Sequence, residues 1–260
     1  MNETPSRSHT GENRPRYSDS GPDERHGNRL LNLLSPRARS YLDTHQILRP
    51  MTTGETLYEE NAPFTHAIFP HAGVVSLMAE MEDGRAVEKA SIGNEGYVGF
   101  ALMLGGGVAI SRSVVRIGGA ASWLPLASLD HALAEFPCVH DVLMRYGKSL
   151  VGQLMQSVAC NSLHTSDQRI IRWLLHAHDR MGEDRFHITQ ESLSQVLGLR
   201  RATVGATCTA LMNAGIIEYA RGDISIRDRA QLEARCCECY GRITRTYDWQ
   251  KGDGWSRIPI

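Results

Sequence analysis

Apolar positions fall along this chain in three regimes. Residues 1–29 hold only Met1 and Tyr17 from the apolar set. Too little surface is available there to offset the entropy of ordering a backbone, so this stretch is expected to be a disordered tail. Leu30, Leu31, Leu33 and Leu34 then begin folded structure, with Ser35-Pro36 as the cap and first residue of a short helix. Over residues 47–124 short apolar runs alternate with glycines, among them Gly54, Gly73, Gly84, Gly93, Gly96, Gly99, Gly118 and Gly119. Asp83-Gly84 between the runs at 74–81 and 86–92 predicts a hairpin, and 113–117 is another strand. Several short strands with frequent turns predict a small β barrel or sandwich.

From Leu126 the period becomes helical. Val139, Leu143, Tyr146, Leu150, Leu154 and Val158 recur every three or four residues after Pro137, and Val142, Val151 and Met155 widen the stripe. So broad an apolar face needs two partners or one broad one. The β domain can take one side and a twin helix the other, so Leu143, Tyr146, Leu150, Leu154 and Val158 are expected to form a dimer seam. The alternative to a dimer is a helix buried within its own monomer. A second helix is expected at 166–180, closed by Gly182. A short strand at 186–188 follows, then helices ending at Gly198 and Gly215. Runs at 216–219 and 224–226 flank Arg221-Gly222-Asp223 as a hairpin, and Asp228 can cap a last helix to Tyr240.

Composition narrows this picture. The chain has 260 residues, 42% hydrophobic and 22% charged, with a formal net charge of −1. That suits one large or two modest domains and argues against coating nucleic acid by bulk charge, but not against a local basic surface. The uncharged run at 96–111 is short and glycine-rich, which predicts turn-rich β structure and no membrane span. The polar start is not a secretory signal, so a cytoplasmic location is expected, with Cys138, Cys160, Cys208, Cys236, Cys237 and Cys239 as thiols.

The informative segment is 188–217, ITQESLSQVLGLRRATVGATCTALMNAGII. It reads as a short helix, a tight turn at Gly198 and a second helix that turns Val204, Cys208 and Leu211 inward. With Trp173, Leu174 and the following hairpin completing the core, this is a winged helix-turn-helix. A helix fits the major groove, and an arginine near its start can make a bidentate contact to guanine. Residues 192–217 hold two Arg and no acid, and the helix N-terminus adds to the attraction for phosphate. The candidate DNA-interface set is Thr189, Glu191, Arg200, Arg201, Thr203, Thr207 and Arg221, with Thr189 and Arg221 assigned to backbone phosphates.

Leu197-Gly198-Leu199-Arg200-Arg201-Ala202-Thr203-Val204, then Leu211, Ala214-Gly215-Ile216-Ile217 and the wing, resemble the Crp/Fnr family of bacterial transcription regulators. Gly93-Asn94-Glu95-Gly96-Tyr97-Val98-Gly99 resembles the glycine-marked turn of that family's β-roll. The resemblance covers about residues 30–240. It implies an α+β fold: an N-terminal jelly-roll-like β-roll sensor domain, a long dimerisation helix and a C-terminal winged helix-turn-helix domain. The corresponding division is a tail at 1–29, the roll at 30–135, the helix at 136–164, the DNA-binding domain at 165–240 and a C-terminal tail at 241–260. The resemblance also implies a homodimer on a two-fold-related DNA site, base reading at Arg201 and phosphate contact at Thr189. RNA polymerase is an allowed partner.

The chain departs from the family where Arg200 replaces the usual Ser and Ala202 the usual Glu, so a different half-site is expected. Gly99, Phe100, Arg112 and Ser113 mark the candidate effector pocket. Gly99 is followed by Phe100-Ala101, without the acid that takes a ribose hydroxyl in cyclic-nucleotide binders, so cyclic AMP is not the expected effector. No cysteine precedes Cys138, which argues against the family's N-terminal iron–sulfur cluster. No cofactor is expected and the effector is left unassigned.

Cys236-Cys237-Glu238-Cys239 invites a metal reading, but a closed zinc site needs four ligands. No second Cys pair completes one, so these cysteines are read as structural thiols on the last helix and no metal site is expected. Cys160, Asn161 and His164 are read as a hydrogen-bonded helix end. There is no nucleophile elbow, His-Glu-x-x-His or phosphate loop, so no enzyme is expected. The function indicated is a sequence-specific DNA-binding regulator. The alternative is a small-molecule sensor acting through protein partners.

Overall fold

Glycine bends the strands of the N-terminal sheet instead of ending them. In the computed structural model, which describes residues 27–251, two long strands run where several short ones are expected. These are β3 (His66–Glu80) and β5 (Arg112–Pro125). They pair antiparallel along their length, with register shifts between Pro70 and Val75. Gly73 has φ +103°, and a Cβ on Gly119 would meet the Ala72 carbonyl oxygen at 2.2 Å. Bulges at these glycines turn the strands sharply while the ladder continues. Sequence periodicity cannot distinguish a glycine that ends a strand from one that bends it. β1 (Ile47–Met51) and β2 (Thr56–Tyr58) pair with β5, and β4 (Ala86–Ile92) pairs with β3. The run at 96–111 is not regular β structure. Phe100–Leu104 is a 3₁₀ turn, and Val98 and Val108 make isolated bridges.

Helices α1 (Arg29–Asn32), α2 (Pro36–His45) and α3 (Leu126–Glu135) close over the sheet. Ser35 caps α2 through the Ala38 N–H, with Pro36 in its first turn. The expected tail at 1–29 lies outside the described residues as far as residue 26. Its end does not fit that expectation, because Asn28 is wholly buried. Its Nδ2 donates to the carbonyls of Pro70 at 2.9 Å and Gly96 at 2.7 Å. One polar side chain between two sheet carbonyls carries no apolar signal, so hydropathy overlooks it.

α4 (Pro137–Leu163) spans 27 residues. Its inner face buries Val139, Val142, Leu143, Tyr146 and Leu150 in the core shared with the sheet. Leu143, Tyr146 and Leu150 therefore do not form a dimer seam: they are committed to their own chain. Leu154 is partly buried against the same core, and of the five expected seam residues Val158 is the exposed one. At 100° per residue, Val158 lies about 80° around the helix from Leu150.

The segment expected as a tail at 241–260 is folded as far as it is described. The single last helix expected from Asp228 to Tyr240 is also divided, into α8 (Arg229–Ala234) and α9 (Cys239–Thr246). Ile243 and Tyr247, four residues apart, are buried against α4. The Tyr247 hydroxyl donates to Gln153 Oε1 at 2.8 Å, and Trp249 Nε1 donates to Ser149 Oγ at 2.8 Å. Among the described residues no helix is long and apolar enough to cross a membrane.

The glycine-marked turn at 93–96 is where sheet and helices meet. A Cβ on Gly96 would sit 2.3 Å from the Tyr146 ring, and one on Gly93 2.4 Å from the Arg180 side chain. Both glycines let a helix approach the backbone. We expect Gly96→Ala to destabilise the fold by about 1–3 kcal/mol through overpacking. Tyr146→Phe, which removes a buried hydroxyl without a hydrogen-bond partner among the described residues, should be neutral or stabilising. Urea denaturation of both variants checks the pair; equal effects would contradict this packing.

Candidate nucleic-acid interface

The C-terminal domain is built on α5 (Ser166–Met181). Thr165 and Gln168 form a capping box at its start, and Gly182, with φ +68°, ends it. Strand β6 (Arg185–His187) leads to Thr189, whose Oγ1 accepts from the Ser192 N–H at 3.1 Å and caps α6 (Gln190–Leu197). Gly198, with φ +61°, makes the turn into α7 (Arg201–Asn213). β7 (Ile217–Ala220) and β8 (Asp223–Ile226) form the wing, with β6 as third strand. Trp173, Leu174, Leu193, Val196, Val204, Cys208 and Leu211 share one core, which also takes in Val74 and Ile117 from the sheet. The domain is thus seated on the sheet through α5.

This seat is polar as well as apolar. Arg180 Nη2 lies 2.7 Å from Glu95 Oε1, with both side chains about 5–6% exposed. Arg180 Nη1 also donates to Ser91 Oγ at 2.6 Å. Burial alone would lower the Arg180 pKa, but the charge and hydrogen bonds of Glu95 outweigh it and hold the guanidinium protonated. Trp173 Nε1 donates to Glu88 on β4 at 3.2 Å.

α7 presents a low, uncluttered outer face. Arg201, Ala202, Ala206, Thr209 and Ala210 are exposed, while Val204, Thr207, Cys208 and Leu211 face inward. Its N-cap residue, Arg200, makes no side-chain cap bond. Helix-start N–H groups and two exposed arginines therefore occupy one end of α7, a cationic end suited to phosphate and base edges. Gly205 in mid-helix lets Gln190 pass close: a Cβ there would be 3.2 Å from Gln190 Oε1.

The structure sorts the expected interface residues. Arg200, Arg201, Glu191 and Thr189 are exposed around the turn, and Thr203 is half-buried. Thr207 is not available to DNA. It is buried and bonded to Asp167 and to the Thr203 carbonyl, so it joins α7 to α5. Helical spacing alone put it outward; the position of α5, unknown from sequence, turns that face inward. Arg221 is exposed at the wing tip with φ +54°, followed by Gly222 at φ +91°. The wing's acids are engaged. Hydrogen bonds from Arg185, then His187, hold the Asp223 carboxyl below its usual range, and Arg227 does the same for Glu218. Ala206 and Thr209 share the exposed outer face of α7 with Arg201, and Gln190 lies beside Gly205; none of the three was in the expected set.

The four candidate effector residues do not converge. Phe100 and Ser113 are buried in the sheet domain and Gly99 begins the 3₁₀ turn. Arg112 instead points out, paired with Glu80 and with Glu59 at 3.3 Å. It lines a cleft of about 1030 Å³ between the sheet and the helix-turn-helix, with Arg116, Val87, Glu191, Gly198 and Arg200 also on its walls.

Residues 168–235 match the family described as the Crp-like helix-turn-helix domain. No curated protein matches the chain. Among solved structures, the chain is similar to FixK2 from Bradyrhizobium japonicum, with a TM-score of 0.64 and 18% identity over 74% of this chain and 98% of that one. A CRP-family transcriptional regulator from Thermus thermophilus gives a TM-score of 0.58 and 18% identity over 72% and 95%. The c-di-GMP-responsive global regulator CLP from Xanthomonas campestris gives 0.58 and 14% identity over 74% and 99%. These likenesses establish a shared fold spanning nearly the whole length of each comparison protein.

Proposed function

We propose that this chain, which has the fold of the Crp/Fnr-type transcription regulators and a Crp-like helix-turn-helix DNA-binding domain, works as a homodimer that reads a two-fold-related operator. The observation that carries this reading is the α7 end: Arg200 and Arg201 exposed beside uncapped helix N–H groups, ahead of a face of small side chains. A helix so lined can enter the major groove deeply; in this reading Arg201 reaches a base edge and Thr189, Gln190 and Arg221 contact phosphates.

The dimer reading rests on a second apolar face of α4. Met144, Val151, Met155 and Val158 are exposed, the last two at 70% and 68%. They fall within about 60° of one another on the helix, centred about 130° around from the buried face. A twin α4 covers this stripe and sets two α7 helices about 34 Å apart, one DNA turn. A regulator acting on chromosomal DNA works in the cytoplasm, and RNA polymerase is its natural partner there.

Arg201→Ala should lower affinity for the selected operator by about 1–3 kcal/mol, roughly 5–150-fold, while binding to unrelated DNA changes little. Binding measured at several salt concentrations checks this, since phosphate contacts weaken steeply as salt rises. Undiminished selectivity in the variant would displace Arg201 from base reading. Salt-insensitive behaviour with no DNA bound at all would favour a sensor acting through protein partners.

A further inference from the structure

Four side chains meet where α4 ends and the winged domain begins, and none of them takes part in the DNA interface. Cys160 and His164 lie one helical turn apart at the end of α4, and Cys237 and Cys239 stand where α8 gives way to α9. All four donor atoms lie within 4.8 Å of one another. The three thiols are buried, and the His164 side chain is 16% exposed. The sequence offers no second Cys pair; the missing ligands are a Cys and a His at i, i+4. Cys236, the obvious partner of Cys239 on a continuous helix, stays outside the cluster because the helix breaks at Arg235.

We propose that Cys160, His164, Cys237 and Cys239 form a mononuclear Cys₃His zinc site that fastens both ends of the winged domain to the long helix. The distances suit a single tetrahedral ion. Cys160 Sγ and Cys237 Sγ are 3.7 Å apart, and Cys239 Sγ is 3.4 Å from His164 Nδ1. Metal bonds of about 2.3 Å to sulfur and 2.0–2.1 Å to nitrogen give tetrahedral edges of about 3.8 Å and 3.5 Å. A disulfide would need the two sulfurs about 2.05 Å apart. Sulfur-rich tetrahedral sites select zinc among the common divalent ions.

The surroundings are those of a metal ligand set. His164 Nε2 lies 3.2 Å from Glu238 Oε2. A proton on Nε2, donated to that carboxylate, leaves the Nδ1 lone pair facing the sulfurs, the usual arrangement around a metal-bound histidine. Gln156 Nε2 donates to Cys239 Sγ at 3.0 Å, as an amide does to a thiolate. Zinc with three thiolates and a neutral imidazole carries a net charge of −1. The buried guanidinium of Arg172, whose charge acts on Cys160 and whose Nε has no hydrogen-bond partner among the described residues, offsets it. Binding releases the three thiol protons to solvent and transfers no electrons.

Cys160 and Cys237 are 77 positions apart, and the helix-turn-helix and wing lie between them. One ion therefore closes that whole segment on the end of α4 and fixes its pose on the long helix. This holds whatever the winged domain binds, because the metal is measured without DNA.

The test is metal analysis of the full-length protein, purified under reducing conditions and titrated with zinc, then with Co²⁺ as a spectroscopic probe. The expected result is one zinc per chain and the absorption of a tetrahedral, thiolate-ligated Co²⁺ ion. Zinc should also raise the melting temperature, and further as free zinc increases. Cys239→Ser and His164→Gln should lose the metal, Cys138→Ser should keep it, and Glu238→Gln should weaken it about 10–100-fold. The proposal is overturned if the reduced protein takes up no zinc, if Co²⁺ shows no thiolate bands, or if Cys239→Ser and His164→Gln bind as the parent does.

Discussion

A Glu95→Ala variant should lose about 3–5 kcal/mol of folding stability, the cost of leaving a buried guanidinium without its counter-charge. Glu95 accepts from Arg180 through both carboxylate oxygens, at 2.7 to 3.2 Å, and from the Gly93 N–H at 3.2 Å. Its backbone carbonyl accepts from Gln250 at 2.9 Å. The residue thus ties the 93–96 turn, α5 and the segment after α9 together. Removing the carboxylate leaves Arg180 held by Ser91 alone among the described residues. Glu95→Gln keeps shape and one acceptor and should cost less than Glu95→Ala. Denaturant unfolding of the two variants orders them. Because the pair crosses from the sheet to the winged domain, hydrogen exchange should quicken first in α5. A loss under about 1 kcal/mol for Glu95→Ala, far below the cost of an orphaned buried charge, would show that this pair does not hold the two halves together.

Charging the outer stripe of α4 is expected to abolish dimerisation without unfolding the chain. In a Val151→Glu, Met155→Glu double variant the new carboxylates replace exposed side chains, so the monomer core is untouched. Two such helices would then bury four like charges at their seam. Sedimentation should report a monomer with parental circular dichroism. Operator affinity should fall about 10²–10⁴-fold, because the second half-site is no longer delivered at high effective concentration. Leu150→Asp, by contrast, puts an unpaired charge into the wholly buried inner face and should unfold the domain. A double variant that remains dimeric would move the interface off α4.

The pattern of apolar and polar positions carried much of the architecture. The capping residue Thr189, the left-handed turns at Gly182 and Gly198, and the inward set of Val204, Cys208 and Leu211 are local features. Each depends on residues within one or two turns, so composition and spacing suffice to place them. The same holds for Pro137 at the start of α4 and for the wing, where Arg221-Gly222 takes two positive φ angles. Arg200 and Arg201 were legible as a cationic helix start for the same reason.

What tertiary structure decided is which partner each face meets. The α4 stripe was visible, but not that Leu143, Tyr146 and Leu150 belong to the sheet while Met144, Val151 and Met155 face away. Both faces carry apolar residues in sequence, and which one meets the sheet depends on what lies beside them. Thr207 turned inward because α5 stands there with Asp167, and Arg112 turned outward to Glu80 and Glu59. Asn28, Glu95 and Arg180 act between segments 42 to 155 positions apart, where no spacing rule reaches. Cys160 and His164 acquired Cys237 and Cys239 in the same way, by the folding back of α9 onto α4. Periodicity reports how a segment divides its own surface; which surface covers it is settled by long-range packing, and the ion pair and the four-ligand cluster exist only there.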